Sequence, residues 1–262
     1  MSRQTPYLEH RPHPELQEHV ACYWSIRCRQ VPEAVDEDAV VPDACMDVLF
    51  DLTANSADVI GTMTRPLAVH RSATMDLLGI RFRPGGIGAF VRLPAPEVTD
   101  GFVGLGELWG PDADRLTSRL GATSDTAARI ALLDAVLRDR LSAARSDGPI
   151  LEAARVVERS EGRIRVEDLA RTAGLSRRQL ERRFLAAVGI APKVACRVVR
   201  FQAALRRLRD APGQTLAAIA LETGYHDQAH LTREFTALAG VAPGAWRAGR
   251  DAFVQDGAAG DA

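Results

Sequence analysis

Two stretches in the C-terminal part of this 262-residue chain are imperfect copies of each other. In order, the first copy carries Leu169, Ala170, Gly174, Leu175, Leu180, Arg182, Phe184, Gly189 and Pro192. The second carries Ile219, Ala220, Gly224, Tyr225, Leu231, Arg233, Phe235, Gly240 and Pro243. The offset is 50 residues up to the glycine turn (169 to 219) and 51 after it (184 to 235), so one residue is inserted in the loop. A repeated pair of helical segments around a glycine turn predicts two helix-turn-helix units.

Charge is unevenly distributed along the chain, although the formal net charge is only −1. Residues 1–145 contain 15 Arg and 20 Asp or Glu, which gives −5. Residues 150–250 contain 18 Lys or Arg and 10 Asp or Glu, which gives +8. This asymmetry favours a basic binding module attached to an acidic partner domain, although uneven surface charge without any binding partner would give the same counts.

Changes in local composition and residue periodicity divide the chain into two predicted domains and a tail. The first, residues 1–147, is predicted to be an α+β domain, a small β-barrel or sheet with helices. Its expected strands are 20–27, 45–52 and 75–83, and its expected helical segments are 86–92, 105–109 and about 112–144. Residues 148–250 are predicted to be all-α, with two helix-turn-helix motifs joined by a long helix, and residues 251–262 to be a disordered tail.

An apolar stripe runs along the expected helix at 112–144, through Ile130, Leu133, Leu137 and Leu141. Such a stripe packs against another apolar surface. Packing on its own domain is favoured over packing on a second subunit.

Helical periodicity separates a buried face from an exposed face in the second helix of each motif. In the first copy, Ser176 and Gln179 form a capping-box pattern, which places the helix start at Arg177. Leu180 and Phe184 share the core face. The residues expected on the opposite face are Arg178, Arg182 and Leu185, with Glu181 alongside.

The second copy gives a matching pattern. Asp227 is a plausible N-cap, and Leu231 and Phe235 share the core face. The residues left opposite are Ala229, Arg233 and Thr236, flanked by Gln228, His230 and Thr232.

A helix whose exposed face carries arginine suits the major groove of DNA. Arginine pairs bidentately with guanine and glutamine with adenine, and each good pair is worth about 1–3 kcal/mol of discrimination. Glu181 accepts a hydrogen bond from cytosine or orients Arg178 or Arg182. The predicted DNA-binding residues are Arg177, Arg178, Glu181, Arg182, Gln228, His230, Thr232 and Arg233. The alternative for the arginines is a solubilising surface.

One long helix is predicted between the two copies. Its apolar face is formed by Val194, Val198, Phe201, Leu205 and Leu208. At 1.5 Å per residue it is about 25 Å long, so it holds the two motifs apart. Its polar face, with Arg197, Arg200, Arg206 and Arg207, is available for phosphate contact or for plain solvation.

Residues 166–247 resemble the AraC/XylS family of bacterial transcription regulators. The resemblance lies in LARTAGLSRRQLERRF, VGIAPKVACRVVRFQAAL and GYHDQAHLTREFTALAGVAPGAW. It implies that both recognition helices enter adjacent major grooves. Carried over by position, the contacts fall on Arg178, Glu181, Arg182, Gln228, His230 and Arg233. RPHPELQEHVACYWSI, VPDACMDVLFDL and GIRFRPGGIGAF look like an uncharacterised sensor domain found ahead of this module.

The first domain shows no recognisable chemistry. His10, His13, His19 and His70, with Cys22, Cys28 and Cys45, match no zinc-ligand spacing, so no metal, cofactor or catalytic residue is predicted. Pro42-Asp43 and Arg81-Phe82-Arg83-Pro84 place charge beside expected strands, to hold a polar effector or, as favoured, to form structural ion pairs. Tyr23, Trp24 and Phe82 are expected in the core.

The leading hypothesis is therefore a cytoplasmic transcription regulator, not an enzyme. Its expected partners are double-stranded DNA, a small-molecule effector, RNA polymerase if it is an activator, and a second copy of the chain, without a membrane. One alternative is an N-terminal barrel enzyme or metalloprotein with a regulatory DNA-binding domain. Another is a constitutive DNA binder whose first half only dimerises.

Overall fold

The computed structural model describes residues 7–28, 38–69, 74–141 and 147–248. Within these ranges the first domain has eight strands: β1 Tyr7–His10, β2 Val20–Cys28, β3 Asp38–Val40, β4 Met46–Asp51, β5 Ser56–Ile60, β6 Leu67–Val69, β7 Met75–Phe82 and β8 Phe102–Gly104. Six of them form an antiparallel sheet in the order β1-β2-β7-β4-β5-β8, and β3 pairs with β6 as a separate ribbon.

Alternation of side chains defines the two faces of the sheet. On β4, Met46, Val48 and Phe50 are buried in the main core of the first domain, and they pair with Phe82, Ile80 and Leu78 of β7. The three predicted strands are confirmed to within a residue at each end. The segment expected to be helical at 86–92 is a short 3-10 helix, Gly86–Ala89, and two more 3-10 helices lie at Pro14–Leu16 and Ala95–Val98.

Three helices cover the core face of the sheet: α1 Leu105–Trp109, α2 Pro111–Ala122 and α3 Thr126–Leu141. Leu133 and Leu137 are buried in the same core as the strands, with Ile130 and Leu141 packed against it, so the stripe does pack on its own domain. The segment predicted at 112–144 is thus two helices, and residues 142–144 lie outside the described ranges.

The second domain is all-α. Its helices are α4 Gly148–Arg159, α5 Val166–Thr172, α6 Arg177–Val188, α7 Pro192–Asp210, α8 Leu216–Glu222, α9 Gln228–Ala239 and α10 Pro243–Ala248. Leu180, Phe184, Leu231 and Phe235 are fully buried in one core that includes both copies of the repeat. Residues 251–262, the predicted tail, lie outside the described ranges.

The two domains share part of this helical core. Val41 and Ala44, from the loop between β3 and β4, are buried among the apolar side chains of the second domain. The side chains of Thr62 and Thr99 also bond to the end of α6, as described below.

No helix in the described ranges is both long enough and apolar enough to cross a membrane. Nor do these ranges contain a group of three or more His, Cys, Asp or Glu side chains placed to hold a metal ion. Cys22, Cys28, Cys45 and Cys196 are free thiols. His70 falls outside the described residues.

Candidate nucleic-acid interface

The two helix-turn-helix motifs, α5–α6 and α8–α9, are built alike. Their second helices are each 12 residues long and begin after a side-chain cap. The turns contain Gly174 (φ +65°) and Gly224 (φ +80°), a left-handed conformation that other residues adopt only at a cost. Four residues separate the helices of the first motif (173–176) and five those of the second (223–227), where the extra residue was predicted.

The N-terminal cap of each second helix was predicted correctly. Ser176 and Gln179 form the full capping box: the Ser176 amide donates to Gln179 Oε1 over 2.9 Å, and the Gln179 amide donates to Ser176 Oγ over 3.3 Å. Asp227 Oδ1 accepts from the amide of His230 over 2.7 Å. The first-turn amides left over at each helix start favour an anionic group there.

The exposed face of α6 carries the two arginines that periodicity placed there. Arg178 and Arg182 are exposed, as is Leu185, whereas Leu180 and Phe184 lie in the core. Within the described residues, neither Arg178 nor Arg182 has an ion-pair or hydrogen-bond partner. Both guanidinium groups are therefore available to an external anion or base.

Glu181 pairs with a different arginine from the two expected, and its contact with cytosine stays a prediction. It binds Arg177, whose Nε lies 2.8 Å from Glu181 Oε1, and Arg177 Nη1 also lies 2.6 Å from Glu167 Oε1. The expectation that Glu181 orients Arg178 or Arg182 is wrong, because Arg177 is its i,i+4 partner in this helix. Arg177, in turn, is less available than its two neighbours on α6.

On α9, Gln228 and Arg233 are exposed, together with Ala229 and Thr236. Arg233 has no hydrogen-bond or ion-pair partner among the described residues, so it matches Arg182 of the first motif. Gln228 lies in the first turn, about 140° around the helix axis from Arg233.

His230 and Thr232 are partly engaged within their own motif. The His230 ring meets the Tyr225 ring edge-to-face at 5.2 Å, and His230 Nε2 lies 3.9 Å from Glu234 Oε1. The Thr232 hydroxyl donates to the carbonyl oxygen of Gln228 over 2.9 Å. Both side chains remain partly exposed, and their contact with DNA stays a prediction.

The long helix α7 braces the two motifs. Its 19 residues span about 28 Å. Its polar-face arginines form intramolecular contacts: Arg197 with Glu234 at 2.8 Å, Arg200 with the carbonyl oxygen of Gly162 at 2.8 Å, and Arg206 and Arg207 with Glu161 at 3.9 and 3.6 Å. These contacts tie α7 to the second motif and to the segment after α4, a role that the sequence did not indicate.

The C-terminal end of α6 is held by the first domain. The Thr62 hydroxyl donates to the carbonyl oxygen of Val188 over 2.6 Å, and the Thr99 hydroxyl donates to that of Gly189 over 2.8 Å. The last carbonyls of a helix have no partner inside the helix, so these two threonines satisfy them. This contact was not predicted from the sequence, because no local pattern around Thr62 or Thr99 indicates it.

Three acidic side chains of the first domain cluster around Arg81, which is 1% exposed. Its Nε lies 3.4 Å from Asp43 Oδ2 and 3.4 Å from Asp47 Oδ1, and its Nη1 lies 3.6 Å from Glu9 Oε1. This is the structural ion pairing favoured from the sequence. Burial raises the pKa of Asp47 to about 6; the positive charge of Arg81 opposes the shift and Asp43 adds to it.

Trp24 is buried, as expected, but on the other face of the sheet from the main core. Tyr23 and Phe82 do belong to that core. The Trp24 ring stacks against Tyr7 with 6.0 Å between centroids, and its indole N–H donates to Asp47 Oδ2 over 3.0 Å. Because Trp24 and Tyr23 are adjacent in a strand, they point to opposite faces.

Comparison with known families gives one match in each domain. Residues 8–104 match a domain of unknown function, DUF6597. Residues 169–249 match a family described as a helix-turn-helix domain. The second match begins in α5 and covers both motifs and the helix that joins them.

Relatives of known description match only part of the chain. A putative AraC-like transcription regulator of Streptomyces lividans is 40% identical over 82 residues, which is 31% of this chain and 27% of that protein. The HTH-type transcriptional regulator MtrA of Neisseria gonorrhoeae is 29% identical over 93 residues, 36% of this chain and 31% of MtrA. The chain thus spans less than a third of the length of either relative.

Among solved structures, the chain is similar to the DNA-binding domain of AdpA, a global transcriptional factor, in complex with a target DNA. The identity is 31%, the match covers 38% of this chain and 90% of that one, and the TM-score is 0.35.

Proposed function

We propose that this chain, whose residues 169–249 form a helix-turn-helix domain of the AraC type, is a sequence-specific DNA-binding transcription regulator. One observation carries the proposal. Two helices at equivalent positions of a tandem repeat each expose arginine side chains that have no partner among the described residues: Arg178 and Arg182 on α6, and Arg233 on α9.

The chemistry of these side chains assigns their roles. Arg178, Arg182 and Arg233 pair with guanine or with backbone phosphate, and Gln228 pairs with adenine. The first-turn amides of α6 and α9 bind phosphate and fix the register of each helix. Successive major-groove faces are about 34 Å apart, and α7, about 28 Å long, joins the two motifs; in this proposal each recognition helix enters one of these grooves.

The first domain supplies the signal in this proposal. It senses an effector or mediates dimerisation, and an activator of this type also contacts RNA polymerase. Its contacts to α6 and to α7 support this role, because a change in the first domain reaches the DNA-binding helices through them. Addition of a true effector would shift the melting temperature of the full chain, since only a bound ligand stabilises it.

The test is selection of bound duplexes from a random pool by the purified full chain. We expect enrichment of two short sequence blocks whose centres lie about one helical turn, 10–10.5 base pairs, apart. The double variant Arg178→Ala/Arg233→Ala should lose the enrichment. Arg115→Ala, which removes an exposed arginine from α2, is the matched control and should retain it. Equal enrichment by the double variant would refute the proposal.

A further inference from the structure

The loop between β3 and β4, residues 41–45, lies between the two domains and contacts both. Val41 and Ala44 are 1% and 0% exposed, buried among the apolar side chains of the helical domain. Ala44 has φ +67°, a left-handed conformation that is unusual for a residue with a Cβ. Such a conformation persists only where the surroundings enforce it. The contacts on both sides of the loop show what enforces it here.

On the side of the first domain, Asp43 anchors the loop. Its Oδ1 accepts a hydrogen bond from the amide of Cys45 over 2.9 Å, and its Oδ2 lies 3.4 Å from Arg81 Nε. Arg81 is 1% exposed, and Asp43 is 9% exposed. Arg81 lies on β7 and also pairs with Asp47 of β4, so its contact with Asp43 ties the loop to the sheet.

On the side of the second domain, Gln202 anchors the same loop. Gln202 lies on α7, is 8% exposed, and its Nε2 donates to the carbonyl oxygen of Pro42 over 2.6 Å. Its neighbours Phe201 and Leu205 belong to the helical core. Gln202 is thus a polar side chain of α7 that holds the loop of the first domain.

We propose that Asp43 is a positioning residue for DNA binding: held by Arg81, it fixes the loop that holds α7 through Gln202, and α7 sets the separation of the two recognition helices. The DNA part of this inference rests on the proposed function, whereas the coupling between the loop and α7 does not. Loosening the loop gives α7 more freedom, and that freedom is lost on binding a two-block site, so the affinity falls.

The first measurement needs no DNA. In the full chain, Asp43→Asn keeps an acceptor for the Cys45 amide but removes the charge that faces Arg81. Two thiols report on the two elements: Cys45, half-buried in the loop, and Cys196, buried on α7 with its Sγ 3.9 Å from the Ile164 carbonyl oxygen. We expect Asp43→Asn to increase the rate at which N-ethylmaleimide labels both thiols, with the labelled sites resolved by mass spectrometry.

A matched control lies at the other end of β4. Asp51 caps the amides of Thr53 and Ala54 over 2.9 Å, as Asp43 caps Cys45, but it has no contact with α7. Asp51→Asn should leave the labelling of Cys45 and Cys196 unchanged. If Asp43→Asn speeds the labelling of Cys45 without that of Cys196, the loop is loosened alone and the inference is overturned.

The second measurement is the affinity for the selected two-block duplex. Asp43→Asn and, separately, Gln202→Met should each weaken it about two- to thirtyfold, the range typical of substitutions that alter coupling between sites. Both substitutions act through one contact. The affinity of the double variant should therefore be no lower than that of the single variant with the lower affinity. If the affinity losses of the two single variants multiply in the double variant, the substitutions act independently, and the inference is overturned.

The two proposals fail in different ways. If the wild-type chain selects no DNA sequence, the proposed function fails, and the labelling of Cys196 still decides the coupling. If the wild type binds and both Asp43→Asn and Gln202→Met bind equally well, the positioning role fails alone. Gln202→Met keeps the test valid if Asp43→Asn does not fold.

Discussion

The hydroxyl group of Thr62 donates a hydrogen bond to the carbonyl oxygen of Val188, 126 residues further along the chain, over 2.6 Å. Both residues are fully buried. The bond joins the loop after β5 to the last turn of α6. The position of α6 is therefore set by the first domain as well as by its own motif.

Thr62→Val keeps the shape of the side chain and removes the donor. The Val188 carbonyl then stays buried without a partner, so we expect the free energy of unfolding to fall by about 1–3 kcal/mol, measured by urea denaturation. Thr123→Val is the control, because the Thr123 hydroxyl donates to the Arg119 carbonyl oxygen at an exposed site. Equal effects of the two substitutions would contradict the interpretation of the Thr62 bond.

Gly79→Ala should destabilise the first domain. A Cβ at residue 79 would lie 2.0 Å from Cε2 of Trp24, whose ring is held in place by its bond to Asp47. Overpacking of this kind costs about 1–3 kcal/mol. Gly106→Ala in α1 meets no atom within 4 Å, and alanine there favours the helix by up to about 1 kcal/mol. Urea denaturation of both variants tests the contrast, and a stable Gly79→Ala variant would show that Trp24 moves freely.

Asp47 should make stability fall as the pH rises from about 4 to 6. Burial raises the pKa of Asp47 to about 6 from its usual 3.8, so the folded chain holds this proton in a pH range where the unfolded chain has lost it. Ionisation therefore costs the folded state about 2–3 kcal/mol, most of it by pH 6 and the rest within about one pH unit above. The stability difference between wild type and Asp47→Asn should fall by that amount over this range.

Asp76 should give the opposite pH dependence of stability. Burial acts to raise its pKa, but the hydrogen bonds and charge of Arg129, together with Arg27, outweigh burial and lower it. The stability that Asp76 contributes is present above its usual pKa and is lost as the pH falls below it. The difference between wild type and Asp76→Asn should therefore decrease on acidification. If the stability difference between wild type and Asp47→Asn does not change with pH, while that for Asp76→Asn does, the pKa of Asp47 is not raised in the folded chain.

Arg233→Ala should weaken binding to the selected duplex by about 1–3 kcal/mol and relax the preference at one base position. The reason is that Arg233 is exposed on α9 with no partner among the described residues, so its donors are free for a base. Arg171→Ala is the comparison: Arg171 is 78% exposed on α5 and is paired with Asp168. Unchanged affinity and preference for Arg233→Ala would show that α9 does not read the DNA.

Binding should also weaken steeply with salt. Each phosphate that a basic side chain neutralises releases counterions, so the logarithm of the affinity falls linearly with that of the salt concentration, at about 0.9 per phosphate. The slope measured by fluorescence anisotropy counts those contacts. A response independent of salt would contradict a basic DNA-facing surface.

The parts of the fold that depend on local patterns were predictable. α6 and α9 follow from the 3.6-residue period and from the caps Ser176 and Asp227, and the exposure of Arg178, Arg182 and Arg233 is confirmed. The pair Arg177–Glu181 was missed, although its i,i+4 spacing is itself a sequence signal. Strands β3, β6 and β8 have three residues each, too few to show alternation.

What the sequence did not indicate are contacts between distant segments. Thr62 meets Val188, and Gln202 meets Pro42, across 126 and 160 residues, and neither pair belongs to a periodic pattern. A polar residue among the apolar positions of α7 was the one available sign of a partner for Gln202. Identifying that partner required the packing of the whole chain.

The two copies of the repeat run in the same direction along one polypeptide, and their exposed residues differ. A twofold-symmetric dimer binds the same half-site sequence twice in opposite orientations, so its site is a palindrome. Here, α6 exposes Arg178 and Arg182 while α9 exposes Gln228 and Arg233, so under the proposed function the preferred DNA need not be palindromic. A single chain bound in this way would have a defined polarity on the duplex, with an upstream and a downstream side.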